Sequence, residues 1–105
     1  SLLDTRPAGA MTALCTARGV QLLCYGALAG GFFHERWLGA SEPTEPLENR
    51  SLVKYKLIID ECGGWSRFQA LLSTVAVVAA QHDTAIGAVA IAWTLQQPAV
   101  AAVIA

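Results

Sequence analysis

Charge is what this chain has least of. Asp, Glu, Lys and Arg make up 14% of its 105 residues, whereas apolar residues make up 54%. Typical soluble domains carry about 25% charged and roughly 45–50% apolar residues. A domain this small leaves a large share of its surface in water, and so few charges cannot cover it. The shortage predicts that a membrane, a partner or a further part of the same protein covers the excess apolar area. An excess of either sign is missing too. A net charge of −1 gives no electrostatic reason to expect nucleic acid or anionic lipid as a partner. Cysteine is scarce: Cys15, Cys24 and Cys62 are odd in number and form no CxxC pair. That pattern argues against a disulfide framework or a zinc site and predicts reduced thiols in a cytoplasmic protein, with no metal.

The start of the chain lacks an initiator Met and a basic segment, so no signal peptide is visible. Its last residues, Val103-Ile104-Ala105, fall within an apolar run without a turn. Both features predict a piece of a longer protein. Residues 84–105 carry no charge, and about 20 such residues suffice to span a bilayer. Yet Gln96-Gln97-Pro98 interrupts the run, alanine dominates it, and no aromatic belt or Lys/Arg flank anchors it. A helix, a break and a buried strand explain it better, so no membrane is expected.

What is present reads as alternating strands and helices. Residues 1–3 predict the end of a strand, and Asp4-Thr5-Arg6-Pro7 a turn with proline placed to start a helix. Ala10, Met11, Leu14 and Cys15 give residues 8–18 a helical stripe that Gly19 ends. Residues 20–25 read as a strand buried on both faces, as parallel sheets require. Residues 26–64 form a long connection. Within it, residues 31–38 and 51–61 suggest helices, and residues 41–46 a polar surface loop. A connection this long in a compact domain is commonly a lid or binding loop. Residues 66–82 carry Phe68, Leu71, Leu72, Val75, Val78 and Ala79 on one face. Asp83 or Thr84 is placed to cap a further helix running to residue 97, with Ile86, Val89, Ala90 and Trp93 inward. Pro98 stops it, and residues 100–104 read as a last buried strand. Parallel βα units follow from this order. The pattern fits consecutive units of a (β/α)8 barrel and equally an open doubly wound sheet.

The stretch richest in chemistry is Tyr25-Gly26-Ala27-Leu28-Ala29-Gly30-Gly31-Phe32, with Arg36 just beyond. Glycines at the carboxyl end of a strand let backbone amides approach a ligand, and α/β proteins bind phosphates there. The competing reading is a plain tight turn. Arg36 is either a phosphate contact, suited to bidentate binding, or one half of a solvated pair with Glu35. His34 and His82 have no partner at a telling spacing and read as surface residues. Trp65 and Trp93 read as packing residues, while Trp37, inside the long connection, stands where substrate could be met. Asp60-Glu61 reads as a solvated helix end rather than an acid/base dyad.

In order and nearly end to end, these segments resemble the C-terminal portion of the aldo/keto reductases. Residues 1–7 are similar to the family's sixth strand and following turn. Residues 25–32 are similar to the turn after the seventh strand, usually written Ser-Pro-Leu-x-x-Gly. Residues 88–98 resemble the last barrel helix, and residues 100–104 the eighth strand. The resemblance implies a partial (β/α)8 TIM barrel, about its last three βα units, with parallel strands inside and helices outside. It places Gly26, Ala27 and Leu28 at the Ser-Pro-Leu positions and Gly31 at the closing glycine, a turn that wraps the pyrophosphate of NADPH. Gly26 departs from the usual serine, so only backbone contact is implied there, and Ala27 lacks the rigidity of proline. Arg36 falls where many members carry a cation within reach of a cofactor phosphate. The implied reaction is reduction of an aldehyde or ketone to an alcohol, with a small carbonyl substrate. The family's catalytic Asp, Tyr, Lys and His belong to the first half of the barrel, so the implied partner is that missing half, and the chain alone is expected to be inactive. Two alternatives remain open: a non-catalytic cofactor-binding regulatory subunit of the same fold, and an inactive gene fragment.

Overall fold

The structure, a computed structural model, describes residues 1–105. It is α/β. The order is α1 (Ala10–Arg18), β1 (Leu22–Tyr25), α2 (Arg50–Glu61), α3 (Trp65–Gln81), α4 (Ile86–Leu95) and β2 (Val100–Ile104). Single 3-10 turns form at Ala29–Gly31 and Glu35–Trp37. β1 and β2 pair in parallel as a two-stranded sheet, with Leu22 opposite Val100 and Tyr25 opposite Ile104. A register shift lies between Leu22 and Leu23, which faces Ala102.

No strand forms at residues 1–3, contrary to the expectation from sequence. A strand needs a ladder partner, and this segment bonds to itself instead. The terminal amine donates to the Asp4 carbonyl at 2.9 Å, and the Asp4 amide donates to Ser1 Oγ at 3.1 Å. Leu2 and Leu3 then pack against the main apolar cluster. The next helix ends as expected, with Gly19 in the left-handed conformation at φ 67°. Its apolar stripe finds little cover, because Met11 and Leu14 are exposed and only Thr12 is buried.

Full burial of the strands is not observed either. Leu22 and Cys24 point towards the side that carries Trp93 of α4, whereas Leu23 and Tyr25 are 64% and 73% exposed on the other. Two strands with helices on one side leave the second face of the sheet bare. Ile104 of β2 is exposed as well.

The core instead lies where residues 26–64 meet α3. Phe68, Leu72, Val75 and Ala79 give α3 a buried stripe at helical spacing. Phe32 and Phe33 from the connection fill the groove above it, with Leu52 and Ile59 of α2 alongside. The Phe32 ring lies 4.9 Å from Trp37, 5.9 Å from Trp65 and 6.0 Å from Phe68. Each indole finds an acceptor: Trp37 Nε1 donates to the Gly31 carbonyl at 3.1 Å, and Trp65 Nε1 to the Ala40 carbonyl at 3.0 Å. Gln69 of α3 clamps the same segment, donating to the Trp37 carbonyl at 2.6 Å and accepting from the Gly39 amide at 2.9 Å. No single helix is long and apolar enough to cross a membrane. The α3–α4 pair has that length and apolarity together but is bent by 93°.

Candidate functional site

β1 delivers the chain into the glycine turn at its carboxyl end. Gly26 has φ 74°, Ala29 φ 50° and Gly30 φ 66°, so the backbone turns through left-handed conformations that glycine alone adopts freely. The turn closes through the Ala29 amide on the Gly26 carbonyl at 3.0 Å, with the Gly31 and Phe33 amides both on the Leu28 carbonyl. The amides of Gly26, Ala27, Leu28 and Gly30 donate to no acceptor in the chain. Ala27 is nevertheless only 2% exposed. More than about 90% of buried backbone N–H groups in proteins are paired. Successive unpaired amides in a turn are the kind of group that accepts an anion in other proteins.

The glycines also serve a neighbour in the protein. A Cβ on Gly26 would collide with the Tyr55 hydroxyl, and one on Gly30 would sit 2.7 Å from Tyr55 Cδ2 and 2.9 Å from the Ser51 carbonyl. Gly31, at φ 111°, has nothing within 4 Å on its Cβ side. The tight-turn reading therefore accounts for Gly26 and Gly30, on which α2 packs, while the Cβ side of Gly31 is open. An open cavity of about 420 Å³ begins at Gly26 and is lined by the β1 residues, Arg6, Lys54 and Tyr55. At its rim Asp4 is held well below the usual carboxylate range, at about 2, by hydrogen bonds from the Arg6 side chain and backbone amide.

Arg36 stands beyond the turn with its guanidinium 4.6 Å above the Trp37 ring and 3.3 Å from Glu48. This exposed pair is worth at most about 1 kcal/mol, so a stronger anion displaces Glu48 readily. Glu35 is not its partner. Glu35 Oε1 accepts from the Ile86 amide at 2.6 Å, across 51 residues of sequence. The expected caps, Asp83 and Thr84, do not act: α4 starts after Ala85 with no local side-chain cap. Asp83 lies at φ 49°, a left-handed residue closing α3, which places it outside the capping position. His34 is exposed and its Nδ1 accepts from the Arg36 amide at 3.0 Å. Trp37 is half-buried in the aromatic core, Trp65 is buried and Trp93 half-buried. Asp60 bonds Lys56 at 2.7 Å.

The Ile86 amide, the first cause, holds the Glu35 carboxyl below its ordinary value of 4.5. A carboxylate whose folded pKa is depressed stabilises the fold fully above that ordinary value, and the contribution fades as pH falls below it. Glu35→Gln is expected to cost about 0.5–1 kcal/mol at pH 7, a cap discounted for exposure. The gap between the two proteins should narrow in urea titrations as pH falls below the ordinary carboxylate value, and a gap independent of pH would refute the charged cap.

No three His, Cys, Asp or Glu side chains converge as metal ligands. A sequence profile of the aldo/keto reductase family matches residues 1–105, the whole chain. The chain belongs to the aldo/keto reductase family. Members of that family are oxidoreductases that build a TIM barrel and generally use NAD(P)H. The chain is also 29% identical over 85 residues to the flagellar radial spoke protein 5 of Chlamydomonas reinhardtii. That match covers 78% of this chain and 16% of the spoke protein.

Within this aldo/keto reductase chain, the structure brings Gly26, Ala27, Leu28 and Gly31 into one turn and sets Arg36 on the 3-10 turn that follows. Reasoning from sequence offered Glu35 only as a partner of Arg36, not as the cap of α4, and missed Lys54 and Tyr55. Tyr55 had a readable signal. It lies three residues after Leu52 and four before Ile59, both buried, so it shares the face of α2 that meets the turn.

Proposed function

We propose that this chain is the C-terminal portion, about the last three βα units, of the barrel of an NADPH-dependent oxidoreductase that reduces aldehydes or ketones to alcohols. The observation that carries this reading is the set of unpaired amides at Gly26, Ala27 and Leu28, around a buried Ala27. Phosphate oxygens are strong acceptors for such donors, which supports reading the turn as a pyrophosphate contact. Arg36 stands nearby to meet a further phosphate once Glu48 releases it. Bound NADPH supplies the hydride in such a reaction. This chain's residues bind and orient, and the proton donor belongs to the other half of the barrel. The reduced thiols Cys15, Cys24 and Cys62 suit a cytoplasmic protein.

The test is direct. NADPH added to the purified chain should bind with a change in its fluorescence, while a broad panel of carbonyl compounds should show no NADPH consumption. Turnover by the chain alone would refute the assignment of catalysis elsewhere, and absence of NADPH binding would refute the cradle. A second reading, a non-catalytic cofactor-binding subunit, draws on the likeness to a protein named as part of the flagellar radial spoke. Joining this segment to the remainder of its protein separates the two, since only the first reading expects carbonyl reduction.

A further inference from the structure

We propose that Lys54 and Tyr55 form a side-chain clamp at the Gly26 end of the turn, so that a phosphate or diphosphate group is held between the turn and α2. It rests on reading the turn as a cofactor cradle only for the source of that group.

The clamp is built by the packing of α2. Leu52 and Ile59 bury one stripe of the helix, and Tyr55 on that stripe is driven onto the turn. Its hydroxyl occupies the space where any side chain at position 26 would begin. This hydroxyl bonds no protein partner, is not sealed from water, and faces the cavity that opens at Gly26. A phenol donor thus stands beside unpaired amide donors, and nothing in the chain accepts from either.

Lys54 adds the charge. Its ammonium lies 5.8 Å from the Tyr25 ring and 5.4 Å from the Tyr55 ring. Two aromatic faces confine a cation without neutralising it. The carboxylates in ion pairs are Asp4, Glu48, Glu42 and Asp60, and their partners are Arg6, Arg36 and Lys56. Lys54 has none. Asp4, the one carboxylate lining the cavity, is taken by Arg6 through bonds of 2.9 and 2.6 Å. Lys54 therefore brings an unpaired positive charge to the cavity in which Gly26 and the Tyr55 hydroxyl also stand. That combination selects a compact, multiply charged oxyanion over a monocarboxylate.

The group could arrive as the diphosphate of a nucleotide cofactor or as free inorganic pyrophosphate, and the experiment has an arm for each. Pyrophosphate and NADPH are titrated separately into the chain, read by amide shifts in NMR and by affinity. Both should move the Gly26, Ala27 and Leu28 amides. Lys54→Gln should weaken each ligand about tenfold and Tyr55→Phe about threefold, a difference of roughly 1.4 and 0.6 kcal/mol. Arg18→Gln, at the opposite end of β1, should change neither, and circular dichroism checks that each variant is folded. Wild-type affinity in both Lys54→Gln and Tyr55→Phe would overturn the clamp and leave the cradle standing. Binding of pyrophosphate without NADPH, weakened by Lys54→Gln, would support the clamp and overturn the cofactor reading. Failure of the wild-type chain to bind either ligand would overturn both.

Discussion

Replacing Phe32 with alanine should remove about 3–5 kcal/mol of stability, the usual cost of deleting a buried aromatic ring. Small domains have only about 5–15 kcal/mol in all, so the variant should be largely unfolded in mild urea. Phe32 is 0% exposed, and the rings of Trp37, Trp65 and Phe68 all close upon it. Its removal leaves those three rings lining a void. The two indoles cannot collapse into that void freely, because the carbonyls of Gly31 and Ala40 hold them. Leu57→Ala, at a site 60% exposed, should stay within about 0.5 kcal/mol of the parent. Urea titration followed by tryptophan fluorescence measures both, as a shift of midpoint at constant slope. A loss below 1 kcal/mol at Phe32 would show that the aromatic cluster is not the centre of the fold.

That cluster marks where the sequence could be read and where it could not. The α3 stripe was legible because Phe68, Leu72, Val75 and Ala79 recur at helical spacing. Phe32, Phe33 and Trp37 have no such period. They are brought inward by two 3-10 turns and by positive φ at Ala29, Gly30 and Gly31, which no periodicity encodes. The segment that reads as a long connection, with a short helix expected at residues 31–38 where two 3-10 turns form, therefore supplies much of the core. Strand identity at residues 22–25 was legible from its apolar run, but burial was not, since it depends on what covers the second face. Leu2 and Leu3 read as strand because two leucines fit any buried segment, but a strand also needs a ladder partner, and the sheet here pairs β1 with β2 alone. The α4 cap was hidden for a further reason: its carboxylate comes from Glu35, far away in sequence. At the site, the order of motifs was enough to indicate the family, and glycine spacing was enough to locate the turn. Which amides remain unpaired follows from the three-dimensional closure of the turn, and Tyr55 enters only because α2 folds back over it.

Gly30→Ala should be the most damaging change within the turn, at about 2–5 kcal/mol. An L-residue at φ 66° costs roughly 1–2 kcal/mol by itself. The added methyl would also lie 2.7 Å from the Tyr55 ring and 2.9 Å from the Ser51 carbonyl. The ring can swing away, but the carbonyl belongs to the first turn of α2 and can move only with the helix. Overpacking of that kind adds about 1–3 kcal/mol. Gly19→Ala is the control, at φ 67° with nothing within 4 Å, and should cost only the conformational part. Combining Gly30→Ala with Tyr55→Ala should recover the ring's share of the clash and none of the carbonyl's, a coupling of about 0.5–3 kcal/mol by double-mutant cycle. Because the methyl pushes α2 off the turn, it also moves Lys54 away from Gly26 in the cavity they share. The Gly30→Ala molecules that remain folded should then bind pyrophosphate more weakly than Gly19→Ala, although their free amides are unchanged in number. Equal affinity in the two variants would mean that the turn binds its anion without α2.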